Sequence, residues 1–518
     1  MTGPKPAEVM LFYFASSFSS QHQARNCVDK LNKVEGYHVE NFGCRASRSD
    51  GEAIAAGLRS RGLAPAPTLD SADVVILNTC SVTAEADRTA RAFIRRVKRE
   101  NPQARIVVTG CYAQRAPEEV AALSVDAVAG NSHKRLVPDL AARLIQISAL
   151  KHPPEIHVDD TFAHAELAKL PFAADAQQTR PNLKVQDGCG NRCTFCVIPA
   201  TRGSSRSISL EECLESVRRF ADAGGQELVL SGINLGRWGR DLAPARSFVE
   251  LAAAILEKTE LPRLRLSSIE PMDWNTELLA LFREYATGGR PGAHVRLAPH
   301  AHLPLQSGSD AVLRRMHRRY RPWHYSERVG AIRAALPDAA IGADVMVGFP
   351  GETEAEFEES YEFIAAQPLT YLHLFPFSAR PGTPGWELHR ERPVSAGAVA
   401  ERMAALRALA EAKSREFRRR FEGRTFSAVT LEGGDDEQTP ALSANFLKIE
   451  IKGAMPANRM VEAEVLTVGD KGVLKGQIFK KRAANPQHLM MQKHGILSTY
   501  HGPETRIQGL CHLEETHR

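Results

Sequence analysis

The sequence predicts a multidomain α/β protein. It has an N-terminal α/β domain with a parallel sheet, a central partial (β/α)6 barrel and a small all-β barrel near the C-terminal end. Three observations carry this. From Tyr37 onward, short apolar runs alternate with amphipathic stretches, the pattern of strands covered by helices. From Leu183 six such strand–helix units follow one another, too few for a full eight-fold barrel. After Gly423 the chain changes to short strands and turns, as in a small barrel. At 518 residues the chain exceeds one ordinary core, and 43% hydrophobic with 25% charged residues is a globular composition.

In chain order, residues 1–35 read as an irregular leader containing Cys27, with no signal peptide. Residues 36–150 form the first domain. Its buried strand runs are Val74–Leu77 and Ile106–Val108, with an amphipathic helix, Ala84–Glu100, between them. Residues 151–180, carrying Pro, Asp and Gln, read as a linker. Residues 181–412 hold strands at Leu183–Gln186, Glu227–Leu230, Leu264–Ser267, His302–Leu305, Ala339–Val347 and Leu372–Phe375. Helices fall between them at Leu210–Ala223, Ser247–Lys258, Trp323–Ala335 and Glu354–Gln367. A charged helix, Ala398–Phe421, leads into residues 413–481, with strands at Thr425–Leu431, Leu447–Ile451, Met460–Leu466 and Gly472–Gly476. Residues 482–518, with several histidines and Cys511, read as a disordered extension, metal binding being the alternative. No run of eighteen apolar residues exists, so no membrane-spanning helix and no membrane partner are expected. Nine widely spaced cysteines in such a chain suit metal ligation in the cytoplasm better than a disulfide framework.

Cys189, Cys193 and Cys196, spaced Cys-x3-Cys-x2-Cys, directly follow the first strand of the central domain. Barrel chemistry sits at such strand ends. Three thiolates can converge on one metal. The next cysteine, Cys213, lies in a predicted helix, so the fourth ligand that tetrahedral zinc wants is missing. A cubane cluster on three cysteines leaves one iron open for chemistry. A zinc knuckle and a disulfide loop are the alternatives. Cys44, Cys80 and Cys111 form a second set: two directly follow predicted strands, and Cys44 shares the Gly-Cys context of Cys111. In a parallel sheet their loops lie along one edge, where a shared metal competes with the reading of buried free thiols.

The triplet and its surroundings resemble the radical S-adenosylmethionine (SAM) enzymes. With the second cysteine set and the domain order, the chain resembles the radical SAM methylthiotransferase family over roughly residues 36–480. The resemblance implies a [4Fe–4S] cluster on Cys189, Cys193 and Cys196, with SAM on its open iron and one-electron cleavage to a 5′-deoxyadenosyl radical. It implies a second, sulfur-donating [4Fe–4S] cluster on Cys44, Cys80 and Cys111, and it makes the C-terminal barrel a TRAM-like RNA-binding module. The stretches Val185–Cys189, Ser231–Gly236 and Leu266–Pro271 look most like the branch that acts on C2 of N6-threonylcarbamoyladenosine at position 37 of tRNA. Arg45–Arg48 departs from the Lys-Val-Asn-Gln of that pattern. Isopentenyladenosine tRNA or a ribosomal-protein aspartate are alternative substrates, and a non-catalytic metal-containing RNA binder is the alternative class.

The implied partners are tRNA, an electron-donor protein and a sulfur source. Phe195 is a candidate to lie against adenine, or simply to pack. Gly232 and Asn234 sit where small residues admit the methionine part of SAM. Glu270 suits a ribose hydroxyl or the SAM amine, or a surface salt bridge; Gln306 is a further SAM candidate. The net charge of +5 permits RNA binding without demanding it. Candidate contacts are Phe446, Lys448, Lys452 and the basic runs Arg91–Arg99, Arg314–Arg321 and Arg415–Arg424. Singly these runs read as solvated helix faces; together they could form a phosphate track.

Overall fold

Six parallel strands build the first sheet: β1 (Gly36–Asn41), β2 (Ala64–Pro65), β3 (Val74–Thr79), β4 (Arg105–Gly110), β5 (Ala127–Ala129) and β6 (Glu155–His157). They lie in the order β2-β1-β3-β4-β5-β6. The protein is represented by a computed structural model, which describes residues 34–147, 153–163, 179–286, 295–469 and 472–479. Cys27 and the tail with Cys511 lie outside these residues. All six residues of β3 are buried, as in a sheet covered on both faces. Alternate residues divide between two cores. Val75, Leu77, Ile106 and Val108 pack with Ile94 and Val97. Val74, Ile76 and Val107 pack with Ile54, Leu58 and Leu144. The helix Ala84–Glu100 forms as expected. Thr83 caps it by accepting from Ala86 N, acids fill its first turn, and Lys98 and Arg99 fill its last.

β6 falls within the stretch expected to be linker. Its three residues, Glu155-Ile156-His157, pair parallel with β5 and extend the first sheet past residue 150. Too short and polar to stand out, β6 is held by its neighbour's backbone.

The central strands are β7 (Asn182–Asp187), β8 (Arg206–Ser207), β9 (Glu227–Gly232), β10 (Arg263–Leu266), β11 (His300–Gln306), β12 (Ala340–Val347) and β13 (Tyr371–Pro376). They form two runs, β10-β9-β7-β8 and β11-β12-β13, parallel except for β8. A bridge from Leu264 to Leu297 joins the runs, leaving β8 and β13 at the edges of a partial barrel. All six expected strands are present within two residues of the expected bounds. Leu183, Val185, Leu228, Leu230, Leu303 and Ala343 pack outward under the helices. The intervening positions, among them Gln186, Ser231, Arg265, His302 and Asp344, therefore face the lumen. The helix Arg45–Arg59 of the first domain lies against β7, where Ser49 Oγ donates to Asn182 O at 2.9 Å.

The helix Ala396–Arg419 runs unbroken across the boundary expected at residue 412. Beyond it β14 (Thr425–Thr430), β15 (Gln438–Ser443), β16 (Lys448–Lys452), β17 (Met460–Val468) and β18 (Leu474–Ile478) close a barrel in the order β14-β15-β16-β18-β17. The sequence reading lacked β15. Its Gln438-Thr439-Pro440 start looks like a turn, and Pro440 is accommodated opposite Glu450. The small barrel sits beneath the central one. Arg265 Nη2 donates to Ser443 O at 3.1 Å, and Asn445 Nδ2 to Asp338 O at 3.1 Å. Phe446 stacks on His300 at 4.4 Å between ring centroids.

Candidate metal centres

β7 hands the chain directly to the first cysteine loop. Gly188 makes the turn at φ +73°, and a Cβ there would lie 1.9 Å from Ser204 O, so no side chain fits. The loop is held by its backbone: Cys189 N to Gly203 O at 3.1 Å, Cys196 N to Cys193 O at 3.1 Å and Thr194 N to Met316 O at 3.2 Å. Three donors point at its sulfurs. Asn191 N reaches Cys189 Sγ at 3.4 Å, Asn234 Nδ2 reaches the same atom at 3.7 Å, and Arg318 Nη1 reaches Cys193 Sγ at 3.2 Å. Burial pushes the Cys196 thiol up to about 12, and negative charge on Cys193 and Cys189 adds to it. Burial also raises Cys189. Buried thiols held protonated, as Cys189 and Cys196 are, suit a metal centre, whose positive charge would reverse that logic.

Arg318 is 8% exposed. Burial works against its charge, but Tyr320, Glu270 and Cys193 hold the guanidinium well above its ordinary range. Glu270 Oε2 accepts from Arg318 Nη2 at 2.6 Å, so Glu270 is ion-paired within the site rather than on the surface. Gln186 Oε1 accepts from Asn234 N at 2.8 Å, and a Cβ on Gly232 would come within 3.0 Å of the same oxygen. Asn234 Oδ1, Gln306 Oε1 and Ser267 Oγ are buried at these strand ends without a hydrogen-bond partner, as a polar ligand's site would require. Gln306 also holds a left-handed backbone, φ +67°, uncommon for a side chain of its size. A cavity of about 260 Å³ opens beside Cys189, Asn191, Ser205, Asn234 and Arg319. Phe195 is half-buried against the outer core, the packing reading. Arg318 and Gln186 were not picked out in sequence; nothing in the run Arg314–Arg321 separates Arg318 from its neighbours.

The second set converges because β1, β3 and β4 are adjacent. Cys44 caps the helix Arg45–Arg59, Cys80 follows β3, and Cys111 opens a short helix after β4. Gly43, at φ +114°, is so close that a Cβ would lie 2.9 Å from Cys80 Sγ. Asn131 Nδ2 donates to Cys111 Sγ at 3.4 Å. Burial, then Cys111, pushes Cys80 up to about 12. All seven cysteines among the described residues are free, and Cys213 is buried in its helix, apart from both triads.

Two arginines of the central domain reach the surroundings of the first-domain triad. Arg202 Nη1 meets both Asp187 oxygens at 2.9 Å, and its Nη2 reaches Asp50 at 3.3 Å and Ser47 at 3.4 Å. Lys134 at 2.6 Å and Lys184 complete the pairing of Asp50. Three cations against two carboxylates leave one positive charge buried here; burial works against the charge of Arg202, but Asp187 first, and then the neighbouring Cys111, Asp50 and Cys44, hold it well above its ordinary range. Arg380 meets Asp87 and Ser81, the residue after Cys80, and Arg115 meets the same two side chains. Both triads thus bring neighbouring thiols together with hydrogen-bond donors and positive charge, which fits an iron–sulfur core whose thiolate ligands make the whole net negative.

Many arginines of the basic runs are already ion-paired. Arg314 and Arg321 pair with Asp310, Arg315 with Glu356, and Arg418, Arg420 and Arg424 with Glu411 or Asp338. In the first run Arg91 pairs with Glu119, and Arg96 and Arg99 with Glu100. Phe446 is not available to a base, because it packs between His300, Tyr371 and Arg265. Lys448 and Lys452 remain exposed.

A partial barrel carrying such a loop after its first strand defines a radical SAM enzyme. Residues 183–364 match the Radical SAM superfamily, and residues 36–130 match the Uncharacterized protein family UPF0004. The chain is 34% identical over 423 residues to the threonylcarbamoyladenosine tRNA methylthiotransferase MtaB of Aquifex aeolicus, covering 82% of this chain and 98% of that one. It is 33% identical over 435 residues to the enzyme of the same name from Bacillus subtilis, covering 83% and 93%. It is 33% identical over 409 residues to a tRNA-2-methylthio-N(6)-dimethylallyladenosine synthase of Parafrankia sp., covering 77% and 78%. The chain belongs to the radical SAM methylthiotransferase family, in the branch whose curated members carry the name MtaB. It is a transferase that uses an iron–sulfur cluster and SAM.

Proposed function

We propose that this enzyme methylthiolates C2 of N6-threonylcarbamoyladenosine at position 37 of tRNA. Cys189, Cys193 and Cys196 hold the [4Fe–4S] cluster that binds SAM, and Cys44, Cys80 and Cys111 hold a second, sulfur-donating [4Fe–4S] cluster. The observation that supports this reading is the presence of two three-cysteine sets, each without a fourth cysteine beside it among the described residues, with Arg202 bonded to Asp187 next to one set and to Ser47 next to the other. The names of the relatives at 32–34% identity that carry threonylcarbamoyladenosine support this substrate. The clusters with SAM supply the one-electron and sulfur chemistry that a strong aromatic C–H bond needs. The protein's own part is positional. Asn191, Asn234 and Arg318 stabilise thiolates by donating to sulfur. Asn234 Oδ1 and Gln306 Oε1 offer acceptors to SAM, and Gly232 keeps the strand end open to it. The C-terminal barrel, with Lys448 and Lys452, takes tRNA backbone. Reading residues 36–150, 181–412 and 413–481 as sulfur-donor, radical SAM and TRAM-like domains goes with this proposal. So do a cytoplasmic location, an electron-donor protein and a sulfur source. Among the described residues no helix is long and apolar enough to cross a membrane.

The test is anaerobic reconstitution with iron and sulfide, beside Cys189→Ala and Cys80→Ala variants, and nucleoside analysis of tRNA from a deletion strain. About eight irons per chain, halved in each variant, are expected, with loss of the 2-methylthio form of threonylcarbamoyladenosine. Iron lost only with Cys189 would sink the second cluster. Loss of a dimethylallyladenosine derivative instead would move the substrate to that branch.

A further inference from the structure

The lumen holds a third set of metal-ligand side chains, with no sulfur in it. His302 on β11, Asp344 on β12 and His373 on β13 stand on three adjacent strands, with Asp344 directly opposite His373 in the register. One donor atom from each lies within 4.8 Å of the others. His302 Nε2 and His373 Nδ1 both stand 3.3 Å from the same oxygen, Asp344 Oδ1. Donors about 2.0–2.2 Å from a tetrahedral ion are themselves about 3.3 Å apart.

A second observation points to a ligand. His302 Nε2 is buried and, although it lies 3.3 Å from Asp344, it is out of hydrogen-bonding alignment with any partner. A buried ring nitrogen that stands beside a carboxylate without an aligned hydrogen bond is free to share that oxygen's ligand. His373, 56% exposed, leaves the set reachable from solvent.

We propose that His302, Asp344 and His373 bind a divalent transition metal ion of the zinc or iron(II) class. Two imidazoles and one carboxylate on one side suit such ions and leave at least one coordination position open. That position faces the lumen, where water or an oxygen of a bound molecule completes the shell. The site does not depend on the assignment of the cysteine triads, since it shares no residue with them.

Zinc is the probe. The full chain is first reconstituted so that its cysteines are occupied by iron, then given zinc, desalted, and analysed for both metals. Wild type should retain about one zinc per chain with unchanged iron. His373→Ala and Asp344→Asn should lose zinc affinity at least tenfold while keeping their iron. Absence of retained zinc, zinc that displaces iron, or variants that hold zinc as wild type does would each overturn the site. X-ray absorption on the zinc-loaded wild type needs no variant. A nitrogen and oxygen shell at about 2.0–2.1 Å supports the proposal, whereas sulfur at about 2.3 Å refutes it. Iron content and tRNA nucleosides report on the cysteine assignments separately, so the two failures are distinguishable.

Discussion

Arg318 and Cys193 are joined across the central barrel: a guanidinium nitrogen from beyond β11 stands 3.2 Å from a sulfur in the loop after β7. The same arginine holds Glu270, so one buried cation connects the cysteine loop to the third strand end. A charged donor of this kind contributes about 1.5–3 kcal/mol. Arg318→Met should therefore cut reductive SAM cleavage by about ten- to a hundredfold while most iron is retained, measured as 5′-deoxyadenosine formed per cluster. Unchanged cleavage would remove Arg318 from the site.

Gly110 sits directly before Cys111 at φ +99°, with a hypothetical Cβ only 2.2 Å from Thr79 O. Gly110→Ala must displace either β3 or the Cys111 loop. Iron in the reconstituted variant should fall toward half, with SAM cleavage at the other triad preserved. Full iron retention would show that this turn does not position the second triad.

Asp50 is fully buried among Lys134, Lys184 and Arg202. Burial alone would raise its carboxyl, but these three cations outweigh it and hold it at about 2. A carboxyl lowered on folding stabilises the fold above its ordinary value of 3.8, and that gain disappears as pH falls from there through about 2. Asp50→Asn takes the carboxylate from Lys134 and leaves Asp187 alone against three buried cations, and should cost about 3–5 kcal/mol at neutral pH, read by chemical denaturation. A loss below 1 kcal/mol would contradict this account.

Glu52, on the same helix, behaves oppositely. Burial pushes its carboxyl from 4.5 up to about 7. A group raised on folding gives its full stabilisation below its unfolded value and loses it as pH rises through its folded one. Stability should fall between about pH 4.5 and 7, and Glu52→Gln should flatten that slope, gaining about 1–3 kcal/mol at pH 8. A variant with the wild-type pH profile would rule Glu52 out as its source.

The sequence carried the strand–helix alternation and both cysteine triads because each is a local pattern: apolar period, turn residue, thiol at a strand end. What it hid is non-local. β6 and β15 are strands because a neighbour's backbone is there, not because of their own residues. Arg202 and Arg318 look like any other arginine until the fold buries them beside Asp187 and Cys193. Phe446 looked like a free aromatic on an RNA-binding barrel and instead is the plug between two domains.

Cys44 and Arg45 are consecutive, yet they serve different spaces. The cysteine belongs to the first-domain triad, while the arginine is buried near Tyr371, Arg180, Arg265 and Glu227 at the base of the central barrel. Both begin one helix, Arg45–Arg59, which also seats Ser49 on β7. That helix acts like a bolt through two plates. Displacing this helix would move the Cys44 loop of the first domain and the Arg45 and Ser49 contacts with the central barrel together.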